Sequence, residues 1–215
     1  MSMLFILVLV CSSVHSICAK SSHLTDIDSI STVVATSTLT SNLTGFDKNS
    51  KDTAHVISQN TSHTDSLLFA NVFDYVSQVS KRNCTDRKVI AKTITNVALE
   101  NDIDICFILA QGTIETHLGT TGIGRSRKSI FGVYRTYSSY EKCINDYIRI
   151  LKKNYLTKGR TEYDLMKRYV TSGGTRYAGH SNYERDLTKK YNEIRRKTNL
   201  FDIQKKIREM KGKES

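Results

Sequence analysis

An all-α domain is predicted for residues 66–208, on three observations. Apolar side chains recur at helical spacing from Ser66 onward, capping signals precede several of the stripes, and no alternating strand pattern is present. The composition agrees. Of 215 residues 39% are hydrophobic and 25% charged, with 11 Gly, no Pro and no Trp, which excludes collagen-like, Pro-rich and repeat-propeller folds. No apolar run approaches the roughly 18 residues of a membrane span. Five Cys, an odd number, do not make a disulfide-built scaffold.

The elements follow in order. Met1 to Val10 is almost wholly apolar and ends near small residues, so residues 1–19 read as a secretory signal with cleavage near Ser16 or Ala19. Residues 20–65 form a Ser/Thr-rich linker. About two-fifths of Ser21 to Ser66 is Ser or Thr, too little apolar surface to offset chain entropy, so a disordered tether is expected. Asn42, Asn60 and Asn83 begin N-x-S/T triplets.

From Ser66 to Lys81, Leu68, Val72, Tyr75, Val76 and Val79 make one stripe, and Thr85 can cap a second helix carrying Ile90, Ile94, Val97 and Ala98. Ile105 to Thr116 is apolar almost all round, which predicts a central, buried helix. Gly119 to Gly132 reads as loop, with the basic cluster Arg125, Arg127 and Lys128. Ser138 to Glu141 reads as a capping box opening a helix with Tyr140, Ile144, Tyr147, Ile148, Leu151 and Tyr155 inward. A shorter helix is expected from Thr161 to Val170, broken by the Ser172 to Thr175 stretch. Ser181 to Glu184 is a second capping box, followed by the stripe Tyr183, Leu187, Tyr191 and Ile194. Residues 209–215 form a basic tail.

The charge lies on the folded part. The chain carries 32 Lys+Arg against 21 Asp+Glu. Residues 1–65 hold three basic and five acidic side chains, so residues 66–215 hold 29 and 16, net +13. Such a field concentrates polyanions. No nucleic-acid recognition motif accompanies it, so nucleic acid is not the expected partner.

One carboxylate stands out. Glu115 closes the apolar run ICFILAQGTIE, with Gly119 and Gly122 directly after it. Burial among apolar neighbours raises a carboxyl pKa and suits it to general-acid work. Read from periodicity alone, it equally suits a helix-terminal Glu paired with a nearby Arg.

The surrounding letters add to this. Ala110-Gln111-x-x-x-Glu115-Thr116-x-x-Gly119-Thr120 resembles the A-Q-x-x-x-E-S/T-x-x-G signature of the bacterial glucosaminidase family, glycoside hydrolase family 73 of the lysozyme-like superfamily. Phe131-Gly132-Val133 looks like its F-G-I segment. The stretch from Tyr137 to Leu151 is similar to its Y-x-S helix opening, and Tyr177-Ala178 through Tyr183 to Leu187 to its closing Y-A-x-x-x-x-Y motif. The four motifs run in the family's order over about residues 105 to 195. The resemblance implies a lysozyme-like helical domain and an endo-β-N-acetylglucosaminidase acting on peptidoglycan glycan strands. Glu115 matches the catalytic acid, Tyr177 a tyrosine lining the cleft that faces it, and Phe131 and Gly132 the cleft floor. With the signal, a secreted, periplasmic or wall-associated location is expected, with no membrane span after signal removal.

There are departures. Lys128-Ser129 replaces a common Asn pair, and His117 a common aromatic. Only Tyr134-Arg135-Thr136 separates the second and third motifs, where the family usually inserts a β-hairpin with a second acidic residue. The short form is closer to Bax-type relatives. Glycosidases normally use two carboxylates, so two routes stay open: the substrate's 2-acetamido group as nucleophile, or a water held by Tyr177 and a carboxylate such as Glu141 or Asp146. Lytic transglycosylation on the same scaffold, and a wall-binding module without catalysis, are the alternative functions.

Ten of the eleven Tyr lie after Glu115. Tyr140, Tyr147, Tyr155 and Tyr191 sit at core spacing. Tyr134, Tyr137 and Tyr177 lie in loops and are the candidates for sugar contact. Arg125 is a candidate for substrate carboxylates. Cys84, Cys106 and Cys143 allow one disulfide and one free thiol in an exported chain. Their spacing, and that of the six His, resembles no metal site, so neither metal nor cofactor is expected.

Overall fold

The computed structural model describes residues 50–81, 83–133, 135–167 and 182–212, with the backbone alone in 50–62. Among these residues the secondary structure is entirely helical, as the periodicity predicts. The helices are α1 (Ser50–Val79), α2 (Arg87–Glu100), α3 (Ile105–Thr116), α4 (Gly122–Ser126), α5 (Tyr140–Asn154), α6 (Glu162–Met166), α7 (Tyr183–Lys197) and α8 (Leu200–Lys211).

α3 is the axis of the fold. Every residue from Ile105 to Thr113 is buried, including Gln111 and Thr113. A helix apolar on all sides needs neighbours on all sides, and α3 packs against α2, α4, α7 and α8. The predicted stripes supply the inner faces. Leu68, Val72 and Val76 of α1, Ile90, Ile94, Val97 and Ala98 of α2, and Ile144, Tyr147, Ile148 and Leu151 of α5 are all buried. Tyr183, Leu187, Tyr191 and Ile194 of α7 join the same core.

The N-terminal end of α3 is satisfied by side chains from three places. The Cys106 amide donates to Asp104 Oδ1 at 2.8 Å and the Asp104 amide to Glu162 Oε1 at 2.9 Å. Gln204 of α8, 1% exposed, accepts from the Ile105 amide at 3.0 Å and donates to the Ile103 carbonyl at 2.8 Å. Orphan groups at a buried helix end are costly unless paired. Gln204→Ala should therefore destabilise the domain by about 2–4 kcal/mol, read from urea denaturation, since two buried backbone groups lose their partners together. A midpoint indistinguishable from wild type would show that α8 does not fasten α3.

Four sequence expectations need correction. α1 begins at Ser50, so residues 50–65, expected in the tether, have helical backbone. Extending a nucleated helix costs far less than starting one, so polar residues can be carried on the end of an apolar stripe. α2 is capped at Asp86, not Thr85, and Asp86 makes no side-chain cap bond. The stretch Gly119 to Gly132 is not all loop, because α4 forms within it. Cys84, Cys106 and Cys143 are all free thiols, so the disulfide is absent among the described residues. Cys143 Sγ instead accepts from the Ile130 amide at 3.3 Å.

Smaller shifts occur elsewhere. Ser139, not Ser138, caps α5, accepting from the Lys142 amide at 3.2 Å. The Thr161–Asp164 capping box opens α6, which ends at Met166; Val170 lies outside the described residues. α7 starts after Asn182, which makes no side-chain cap bond, and Ser181 of the predicted box lies outside the described residues. α8 has no counterpart in the sequence reading. No helix among the described residues is long and apolar enough to cross a membrane.

Candidate active site

Glu115 sits in the last turn of α3, half-buried, where the core helix meets a reversal of the chain. The reversal is built from consecutive left-handed residues, His117 at φ 50°, Leu118 at 57° and Gly119 at 78°. The buried Leu118 side chain and the Leu118 amide, which donates to the Gly112 carbonyl at 2.8 Å, hold it in place. Left-handed backbone is unfavourable for leucine and histidine, so this turn is imposed by packing and hydrogen bonding.

Thr116 then brings a second segment over the carboxylate. Its hydroxyl donates to the Ile130 carbonyl at 2.6 Å and accepts from the Gly119 amide at 2.7 Å. Ser129 Oγ donates to the Val133 carbonyl at 2.9 Å and shapes the 129–133 bend. The result is that Gly132, at φ 67°, lies directly on Glu115. A Cβ added there would stand 2.4 Å from Glu115 Oε2. Only glycine permits both that backbone and that approach.

Phe131 is 3% exposed and stacks on Tyr147 of α5, with centroids 3.7 Å apart and planes at 18°. The Tyr147 hydroxyl donates to Gln111 Oε1, one turn before Glu115 on α3. Phe131 thus anchors the bend from beneath and carries Gly132 to its place.

The fourth part comes from α7. Tyr183 is 6% exposed. The nearby hydroxyl favours the ionised acid, but burial acts in the opposite sense and dominates. The Glu115 pKa is therefore raised from the ordinary carboxyl range. No charged group contributes to that shift among the described residues. The alternative of a salt-bridged helix-terminal Glu is not what the geometry presents. Glu115 can keep its proton where an exposed carboxyl would not, and it has a hydroxyl beside it.

The other expected residues are distributed as follows. Tyr137 is buried, and its hydroxyl donates to Asp146 Oδ2 at 3.0 Å, so it braces α5. Arg125 stands on α4 and lines a cavity whose walls do not include Glu115. Tyr134 and Tyr177 lie outside the described residues. Of the two carboxylates considered as a second group, Asp146 is held by Tyr137, Arg135 and Arg149, and its pKa is lowered despite some burial. Such a carboxylate is a weak base. Glu141 is exposed and faces α2 across a groove lined by Val89, Lys92 and Glu100. Neither adjoins Glu115 in the set of groups that shift it.

Tyr183 stands in the sequence on the apolar stripe of α7 and in the closing motif, with no role at the site. Its ring is in the core, and its hydroxyl favours the ionised form of Glu115. Cys106, in the first turn of α3, is fully buried, and burial pushes its thiol pKa far up, so it is chemically quiet. No cluster of three metal-ligating side chains occurs among the described residues.

No match was found among the curated proteins or among the solved structures. A match to a family model was found, and it covers the segment that builds this site. Residues 91–196, which carry α3 with Glu115, the Phe131-Gly132 bend and Tyr183, match the Glucosaminidase family, described as mannosyl-glycoprotein endo-beta-N-acetylglucosaminidase.

Proposed function

We propose that the chain is an exported peptidoglycan hydrolase that cleaves the glycan strand after N-acetylglucosamine, with Glu115 as general acid. The observation that carries this reading is the raised carboxyl of Glu115, pressed against Gly132 within the segment that matches the glucosaminidase family. The net charge of +13 on residues 66–215 favours an anionic glycan such as peptidoglycan over a neutral mannosyl glycoprotein. The apolar residues 1–19 serve as the export signal, and the site of action is the cell wall. A lysozyme-like, short-form architecture of the Bax type is part of the same proposal.

The chemistry follows from one acid. The protonated Glu115 carboxyl gives its proton to the glycosidic oxygen as the C1–O bond breaks. With no second carboxylate acting on Glu115 among the described residues, the 2-acetamido carbonyl oxygen of the substrate is the better-supported nucleophile at C1. Water then opens the cyclic intermediate, with the Glu115 carboxylate taking up the proton.

Mass spectrometry of digested muropeptides tests the assignment. Reducing N-acetylglucosamine ends are expected. Anhydro-muramic ends would indicate lytic transglycosylation, and wall binding without solubilisation a non-catalytic module.

Tyr183→Phe tests the electrostatics. The hydroxyl favours the carboxylate, so its removal raises the Glu115 pKa further. The alkaline limb of the pH–rate profile should move to higher pH, with the rate on the acid side within about tenfold of wild type. A limb that moved down would show that the hydroxyl does not donate to Glu115.

A further inference from the structure

Between the end of α1, the start of α2 and the loop around α4 lies a cavity of about 170 Å³ that Glu115 does not line. Its walls include Lys81, Arg125 and Lys128, with Thr85, Thr120 and Tyr140 beside them and Asp86 as the one carboxylate. The volume holds several waters at roughly 30 Å³ each, or a carboxylate with its adjoining carbons.

The cavity is held open by its own hydrogen bonds. The Lys81 amide donates to Thr120 Oγ1 at 3.3 Å, and the Thr120 hydroxyl to the His117 carbonyl at 2.7 Å. Arg87 Nη2 donates to the Lys81 carbonyl at 2.7 Å, and the Tyr140 hydroxyl to the Gly119 carbonyl at 2.8 Å. Among the described residues none of Lys81, Arg125 and Lys128 is in an ion pair. Lys128 Nζ donates only to the Ser138 carbonyl at 2.9 Å. Three cations and one carboxylate therefore line the cavity with no ion pair between them. The cavity also lies at the N-terminal end of α2, whose cap Asp86 makes no side-chain bond, so the helix dipole adds positive potential there.

We infer that this cavity binds an oxyanion, and that its ligand is a carboxylate of the peptide stem carried by the glycan. The inference rests on the glucosaminidase reading for the identity of the polymer. It extends that reading by making peptide-bearing strands the preferred substrate. Asp86 in the wall favours a singly charged carboxylate over a phosphate dianion. The loop that lines the cavity joins Glu115 to Gly132, so an anion seated there fixes the strand relative to the acid.

The test uses the full chain and its Lys81→Gln/Lys128→Gln variant on two substrates, peptide-bearing strands and strands stripped of peptide. The ratio of KM on bearing to KM on stripped strands is expected to rise about tenfold in the variant, as loss of roughly 1.4 kcal/mol of binding would give. Equal ratios would overturn the proposal. Independently of cleavage, N-acetylmuramyl dipeptide titrated into the wild type should shift the amide resonances of Thr85, Thr120 and Tyr140. Inorganic phosphate should shift them only at much higher concentration. Absence of dipeptide shifts, or tighter phosphate binding, would reject the carboxylate even if the variant misfolded. If wild type cleaves neither strand but binds the dipeptide, the hydrolase reading fails and the anion site stands.

Discussion

Glu115→Gln is expected to lower the rate of glycan cleavage by about 10³-fold or more while melting at a higher temperature than wild type at neutral pH. The two effects have one cause. Burial raises the Glu115 pKa above its unfolded value, so between those two values the folded state holds more protons than the unfolded state. Stability then falls as pH rises through that window. At neutral pH the wild type bears the cost of either ionising a half-buried carboxyl or keeping it protonated. Glutamine, uncharged and of the same shape, bears neither. The melting temperatures of the two proteins should converge as pH drops below the ordinary carboxyl range, where Glu115 is protonated in both states. Muropeptide release and melting curves at several pH values check both parts. Near wild-type clearance would remove Glu115 from the mechanism. A variant less stable than wild type at neutral pH would show that the carboxylate is stabilised by its surroundings.

The sequence carried the helical frame because burial and periodicity are local properties of the chain. The run from Ile105 to Thr116 marks its own helix boundaries, and the stripes of α2, α5 and α7 fall on the inner faces that the structure buries. α8 escaped notice because its run is strongly charged. Its inward set of Leu200, Ile203 and Ile207 is completed by Gln204, whose role is to pair with backbone from residues nearly a hundred positions earlier. The same limit applies at the site. Glu115 was visible as a carboxyl closing an apolar helix, and Phe131 and Gly132 by their resemblance to a motif. That Gly132 lies against the acid, that Tyr137 braces Asp146 and that the Tyr183 hydroxyl favours the ionised form of Glu115 are outcomes of chain reversal and helix packing. Arg125 was legible as a basic loop residue, but its neighbours Lys81 and Tyr140 come from the segment after α1 and from α5. Three-dimensional company of that kind has no local signal.

Gly132→Ala is expected to lower activity sharply. Two terms act together, and they can be separated. The first is backbone strain, because alanine at φ 67° is left-handed and costs about 1 kcal/mol or more. Gly159, at φ 74° with nothing within 4 Å of an added Cβ, carries that term alone. The second is steric. The new methyl would stand 2.4 Å from Glu115 Oε2 and force either the carboxyl or the 129–133 bend to move. The bend is tied to Thr116, Ser129 and the Phe131–Tyr147 stack, so the carboxyl is the easier part to displace. Misplacing a reacting group by an ångström costs on the order of 10²-fold in rate. Gly159→Ala is therefore expected to lose about 1 kcal/mol of stability with full activity. Gly132→Ala should lose more stability, and about 10²-fold in kcat/KM, at a temperature where both variants are folded. Equal activity in the two alanine variants would mean that the contact between the bend and the acid has no part in catalysis.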